Sequence, residues 1–213
     1  MLKGPVLGPM VLCGVCFRFK DLHFLSQIGV KDSKKLSPKK RNELAKKIKY
    51  MCYSHEIQVG SAQEIDEREK SRISLNRLEE LKIAYILNKL KPDIIFIDAA
   101  DVNEGRFGVS ISKLLEFTPK KIISKHKADD LYPIVSASSI IAKDLRDKLI
   151  RDLINKHGDF GSGYPSDPKS IEFLRNWIKS KKNVPYFARK SWETTKKILN
   201  EEINNKKITD YFH

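Results

Sequence analysis

The sequence predicts an α/β fold built on a partly parallel β-sheet, and three observations carry that expectation. A helical pattern from Leu75 to Leu90 stops at Pro92, and the apolar run Ile94-Ile95-Phe96-Ile97 follows at once. A helix followed directly by a buried apolar strand is the order expected of a βαβ unit. A second short apolar run, Ile122-Ile123, leads through polar residues into another helical stretch. In that stretch Ile141, Leu145, Leu149 and Leu153 recur at helical spacing and should form a core face.

Taken in order, residues 6–19 read as a strand, with Pro9 and Gly14 hinting at a bend or an edge. Ser37 before Pro38 is a helix start, because the hydroxyl caps and proline suits the first turn. Leu44, Ile48 and Met51 then share one face of that helix. Residues 56–60 form a short, half-polar strand. Ser61-Ala62-Gln63-Glu64 fits a capping box and opens another helix, interrupted near residues 71–74. From Leu75, residues Leu78, Leu81, Ala84, Tyr85 and Leu90 define an amphipathic helix. Residues 158–168 are a Gly/Ser/Pro loop, and Asp167-Pro168 caps another helix carrying Ile171, Leu174, Trp177 and Ile178.

Composition narrows the class. A chain of 213 residues can build one domain with a real core and a small appendage. Its 41 Lys and Arg against 27 Asp and Glu leave a formal charge of +14, which predicts a polyanionic partner. Hydrophobic content of 40% argues against disorder. No stretch approaches the roughly 18 continuous apolar residues of a membrane span. The start, Met1-Leu2-Lys3-Gly4-Pro5, is not a signal peptide, so a cytoplasmic protein without membrane contact is expected. Cys13 and Cys16 fall on opposite faces of a strand and Cys52 stands alone, which reads as core thiols.

The candidate chemistry rests on two aspartates. Asp98 closes the Ile94–Ile97 run, and Asp129 follows the Ile122-Ile123 run after Ser124-Lys125-His126-Lys127-Ala128. In open α/β sheets the tips of core strands are where ligands bind. Either acid alone reads equally as a helix cap or a solvated loop residue. Together they suggest one acidic site for a hard divalent cation, Mg²⁺ or Mn²⁺. Phosphodiester cleavage by two such ions would use metal-activated water and a steadied leaving oxygen. Lys127 and Lys143 are candidate phosphate contacts, while Asp32, Asp101 and Asp130 are loop acids that could add to the site. Tyr164, in Gly161-Ser162-Gly163-Tyr164-Pro165, either stacks on a base or sugar or packs inward in a turn.

Several segments together resemble the type 2 ribonucleases H, and more narrowly archaeal ribonuclease HII. They are Val30-Lys31-Asp32-Ser33-Lys34-Lys35-Leu36, Ile97-Asp98-Ala99-Ala100-Asp101-Val102-Asn103, His126-Lys127-Ala128-Asp129, residues 136–143, and Gly161-Ser162-Gly163-Tyr164-Pro165-Ser166-Asp167-Pro168. The likeness is ordered and runs from Gly4 to about Trp192. It implies a ribonuclease-H-like mixed β-sheet flanked by helices, followed by a helical C-terminal region. On this reading residues 1–157 form the catalytic core, 158–200 the substrate-contacting loop and C-terminal helices, and 201–213 a tail. The resemblance also implies an endonuclease that cuts the RNA strand of RNA–DNA hybrids, including single ribonucleotides embedded in DNA, and acts as a monomer. Asp98 and Asp129 match two of the family's four metal-binding carboxylates, and Tyr164 matches the tyrosine that senses the sugar at the RNA-to-DNA junction. Lys3, Gly4, Lys34, Lys127 and Lys143 are the further expected substrate contacts.

The family opens with a strand bearing Asp-Glu-Ala-Gly-Arg-Gly, or Lys in place of Arg, followed by Pro-Val. Here Lys3 and Gly4-Pro5-Val6 match only the tail of that motif, without the Asp and Glu. Two expectations compete. Either translation starts upstream, or the chain has been clipped, and the protein is an ordinary nuclease; or it is a decayed protein that binds hybrids without cutting them. Either way the 213 residues alone are expected to cleave little. At the other end, Ile208-Thr209-Asp210-Tyr211-Phe212 resembles a sliding-clamp docking motif, with Ile208, Tyr211 and Phe212 as anchors and Asn205 where glutamine is usual.

Overall fold

A computed structural model describes residues 4–30 and 36–204. Its elements, in chain order, are β1 (Met10–Cys16), a 3-10 turn at Phe19–Asp21, α1 (His23–Gln27), α2 (Pro38–Met51), β2 (Ser54–Gly60), α3 (Ala62–Glu67), α4 (Leu75–Leu90) and β3 (Ile94–Asp98). They continue through α5 (Glu104–Ser112), β4 (Lys121–Lys125), α6 (Ala128–Leu131), α7 (Pro133–His157), α8 (Pro168–Lys181) and α9 (Glu193–Leu199), and end in a π turn at Asn200–Asn204. Two compact units result. One contains Val11–Val59 and Ile73–Asp147; the other contains residues 4–10, Gly60–Arg72 and 148–204.

Helix starts follow the serines. The hydroxyls of Ser37, Ser61 and Ser74 each accept a hydrogen bond from the backbone N–H three residues on, at Lys40, Glu64 and Arg77. Each such cap satisfies an otherwise orphaned donor and is worth about 1 kcal/mol.

In the first unit β3 and β4 pair in parallel, with Ile95 opposite Ile122 and Asp98 opposite Lys125. Against this pair Leu87 of α4 and Phe107 and Ile111 of α5 close one hydrophobic cluster around Ile95 and Ile97. A second cluster joins Val15 of β1 to Leu44 and Ile48 of α2 and to Ala137, Ile140 and Ile141 of α7. β1 pairs with β2. Among the described residues the sheet is therefore in two pieces, β1-β2 and β3-β4. A cleft of about 850 Å³ borders both, touching every residue from Val11 to Phe19 and from Lys91 to Asp98.

Three sequence expectations shift. The strand over 6–19 shrinks to β1, because Gly8 takes φ +88° and Pro9 has no N–H to give a ladder. Val6 and Leu7 instead donate to the Gly163 carbonyl, and Leu7 bridges Ala188. On α4 the buried set includes Glu80 and Lys82, while Leu81 and Tyr85 are exposed. Glu80 is buried because Arg77 (2.8 Å) and the Ser110 hydroxyl (2.6 Å) hydrogen-bond its carboxylate. On α7 Ile141 is buried, but Leu145, Leu149 and Leu153 are only half-buried.

In the second unit Trp192 is buried, donates to the Gly4 carbonyl (3.2 Å), and meets the guanidinium groups of Arg68 and Arg189 at its ring. Asp66 at the end of α3 accepts the backbone N–H groups of Lys190 and Ser191. Phe160, Phe173, Trp177 and Phe187 form an aromatic cluster with His157.

Candidate active site

Parallel pairing of β3 and β4 brings the chain segments after both strands to the same end of the sheet. Ala99 N–H donates to the Lys125 carbonyl (2.9 Å), extending the ladder one step past β3. Ala128 N–H donates to Asp98 Oδ1 (3.1 Å), so the residue before Asp129 is tied to the Asp98 carboxylate. Asp98 and Asp129 both line the cleft that borders the two sheet pieces. The two aspartates singled out from sequence, 31 positions apart, thus meet one cavity.

Their environments differ. Asp98 is exposed and Asp129 is buried. Burial takes the Asp129 carboxylate, unlike that of Asp98, out of water, where it needs partners to offset the cost. Asp129 lies in α6, entered through Lys127 in the left-handed region at φ +52°. A non-glycine residue there is held at a cost of about 1–2 kcal/mol, which the surrounding bonds must overcome. Those bonds are present. Glu104, the first residue of α5, accepts from Lys125 Nζ (2.5 Å) and from the His126 N–H (3.0 Å). The His126 ring Nε2 meets the Val102 carbonyl at 3.1 Å, and the Ser136 hydroxyl donates to the Asp129 carbonyl. The Lys125 ammonium, and after it the His126 N–H, hold the Glu104 carboxyl below its usual range.

Sequence reasoning missed this brace because α5 itself went unread. Asn103 caps α5 through the Arg106 N–H (2.9 Å), a start signal that Gly105 and Gly108 obscured. Asp101, proposed as an extra acid for the site, is buried. It accepts from the Asn103 N–H, and both of its oxygens accept from the single Arg106 Nη2 (2.6 and 2.8 Å). Those bonds lower its pKa and commit it to the loop. Asp130 is exposed in α6, and Asp32 lies outside the described residues.

The other candidates are spread out. Lys127 is exposed immediately before Ala128, and Lys143 is half-buried on α7 and does not border the cleft. Gly4 and Tyr164 belong to the second unit, where the Tyr164 side chain is 39% exposed, so it is not packed inward. Lys3, Lys34, Ile208, Tyr211 and Phe212 lie outside the described residues. Burial pushes the Cys13 thiol up to about 12 and raises Cys16 and Cys52 as well, so none is a nucleophile at neutral pH.

Asp98 and Asp129 offer hard oxygen donors facing one cavity, which suits a divalent cation. Among the described residues no third His, Cys, Asp or Glu joins them at ligating distance. The donor set fits a cation but fills only part of the coordination shell that Mg²⁺ or Mn²⁺ requires.

Residues 3–195 match a family model described as Ribonuclease HII. Ribonuclease HII of Methanocella arvoryzae is 50% identical over 198 residues, covering 92% of this chain and 88% of the relative. That of Pyrococcus furiosus is 44% identical over 207 residues, covering 96% and 90%. The crystal structure of ribonuclease H2 from Pyrococcus horikoshii superposes with a TM-score of 0.89 at 40% identity, over 96% of each chain. Ribonuclease HII of Archaeoglobus fulgidus, solved in complex with PCNA, gives a TM-score of 0.84 at 38% identity, covering 98% and 95%. A ribonuclease HIII solved with Mn²⁺ shares the fold at 19% identity, with a TM-score of 0.78.

Proposed function

The chain belongs to the ribonuclease HII family, metal-dependent endonucleases of the RNA strand in RNA–DNA hybrids, and from that premise we propose how its own residues serve the reaction. Asp98 and Asp129 are the metal ligands. The observation that carries this reading is their shared cleft, together with the hydrogen bond from Ala128 to Asp98 that ties the two loops. Bound there, Mg²⁺ or Mn²⁺, as two ions in the substrate complex, supplies water activation and stabilisation of the leaving oxygen. Glu104 keeps the Lys125–His126 segment in register with β3. Lys127 and Lys143 add cationic charge to a surface already suited to a polyanion.

The substrates are RNA–DNA hybrids and duplex DNA carrying single ribonucleotides, with Tyr164 as the group that senses the sugar at the RNA-to-DNA junction. Partial exposure of Tyr164 on a fixed loop supports that role. Gly4, Lys3 and Lys34 are proposed as further backbone and phosphate contacts.

A duplex with one embedded ribonucleotide tests the reading. On long incubation a nick beside that ribonucleotide is expected, strictly dependent on added Mn²⁺ or Mg²⁺. Equal cutting of an all-DNA duplex, or cutting in EDTA, would end it.

A second reading adds to the first. The tail residues Ile208, Tyr211 and Phe212 are proposed to dock on a PCNA-type sliding clamp, as an aliphatic anchor and two aromatics. The relative from Archaeoglobus fulgidus was solved in a PCNA complex, which supports the idea. Deleting residues 208–213 is expected to abolish clamp binding by surface plasmon resonance while leaving hybrid affinity within about twofold, since these six residues carry no Lys or Arg to contact phosphate. Unchanged clamp affinity would remove the tail from the interaction.

A further inference from the structure

We propose that Ser170 is a positioning residue that sets the Tyr164 loop for nucleic-acid contact; the proposal rests on the reading of Tyr164 as the junction sensor. Ser170 lies in the first turn of α8 and is completely buried. A serine there commonly caps its own helix. In this chain that task falls to Asp167, whose carboxylate accepts from the Lys169 N–H (3.1 Å). The Ser170 hydroxyl turns to the loop instead. It donates to the Phe160 carbonyl (2.8 Å) and accepts from the Gly163 N–H (2.9 Å). One side chain thereby bridges both ends of the segment 160–163, immediately before Tyr164.

Gly163 is fixed from the other side as well. Its carbonyl accepts the Val6 N–H (2.8 Å) and the Leu7 N–H (3.0 Å). Its φ is +79°, and a Cβ there would lie 2.6 Å from the Leu7 carbonyl oxygen. The residue that anchors the tyrosine backbone is therefore held through its N–H, its carbonyl and its packing at once. Phe160 is also buried, so without the serine hydroxyl two buried backbone groups lose their partner.

Other contacts reach the loop too: the Tyr164 carbonyl accepts the Asp167 N–H (3.0 Å), and the Tyr164 N–H donates to the Ser162 hydroxyl (3.4 Å). Asp167 accepts from the Ser162 N–H and hydroxyl (2.8 Å each), and Lys169 pairs with Asp159 (2.5 Å). Pairs at such exposed positions constrain a loop weakly. The buried Ser170 bridge is the part that water cannot replace.

The test uses the full 213-residue chain in EDTA and reads the all-DNA-to-junction ratio of dissociation constants. Dissociation constants are measured by fluorescence anisotropy for a duplex with an RNA-to-DNA junction and for an all-DNA duplex of the same length. A purely structural defect lowers the amount of competent protein and changes both constants alike, leaving their ratio fixed. Ser170→Ala is expected to reduce the ratio about 5-fold or more, within the range that losing one stacked base allows. Ser170→Cys, similar in volume with weaker hydrogen bonding, is expected to fall between Ala and the parent and decides the matter if Ser170→Ala does not fold. Tyr164→Ala is expected to match Ser170→Ala, and the double variant to show no further loss. If Tyr164→Ala lowers the ratio and the Ser170 variants do not, the positioning role is wrong and the tyrosine reading stands. If Tyr164→Ala leaves the ratio unchanged, both fall.

Discussion

Asp98→Asn and Asp129→Asn are each expected to weaken Mn²⁺ binding by more than about 100-fold and to remove metal-dependent cleavage. Loss of an outer partner of a metal ligand already costs about 10–100-fold, and these side chains are proposed as the ligands themselves. Asparagine is the informative replacement. At position 98 its amide oxygen can still accept the Ala128 N–H, so the tie between the two loops persists while the charge is lost. At position 129 Asn keeps the size and one acceptor oxygen of the carboxylate while removing its charge. Both variants should therefore melt within a few degrees of the parent. Mn²⁺ titration followed by electron paramagnetic resonance reads affinity directly. Affinity retained in either variant would show that the carboxylate is a structural group and that the metal binds elsewhere.

What could be read from the sequence was decided by how local each signal is. Ser37-Pro38 and Ser61-Glu64 announce helices because a hydroxyl finds an N–H three residues on, whatever the rest of the chain does. Asp98 and Asp129 could be paired in advance because each lies just beyond an apolar run, and parallel strands deliver their C-terminal ends to one side of the sheet. The face of α4 was misread for a nonlocal reason. Glu80 is buried where Arg77 and Ser110, the latter on a helix whose existence the pattern did not reveal, hydrogen-bond its carboxylate. Asp101 looked like a spare ligand for the same reason, and its consumption by Arg106 depends on α5 being formed. Ser170 carried no sequence signal at all, since a serine near a helix start is ordinarily a cap.

A chain extended ahead of Lys3 by a strand carrying Asp-Glu-Ala-Gly is expected to cleave an RNA–DNA hybrid about 100-fold or more faster than the 213 residues alone. That is the scale of one preorganised electrostatic contact in other enzymes. Among the described residues β1 pairs only with β2, and β3 only with β4, so each strand keeps one row of N–H and C=O groups without a ladder partner. Such edges are templates for another strand. The cleft bordering both has a volume of about 850 Å³. The expectation is that carboxylates on such a strand add to the oxygen donors of Asp98 and Asp129, which fill only part of a Mg²⁺ or Mn²⁺ shell. Filling and ligation can be separated by a matched extension with Asn-Gln in place of Asp-Glu. Both extensions should raise hydrogen-exchange protection along β1 and β3, while only the acidic one raises the cleavage rate. Equal rates for both would assign the gain to sheet completion alone, and rapid cleavage by the unextended chain would show that Asp98 and Asp129 suffice.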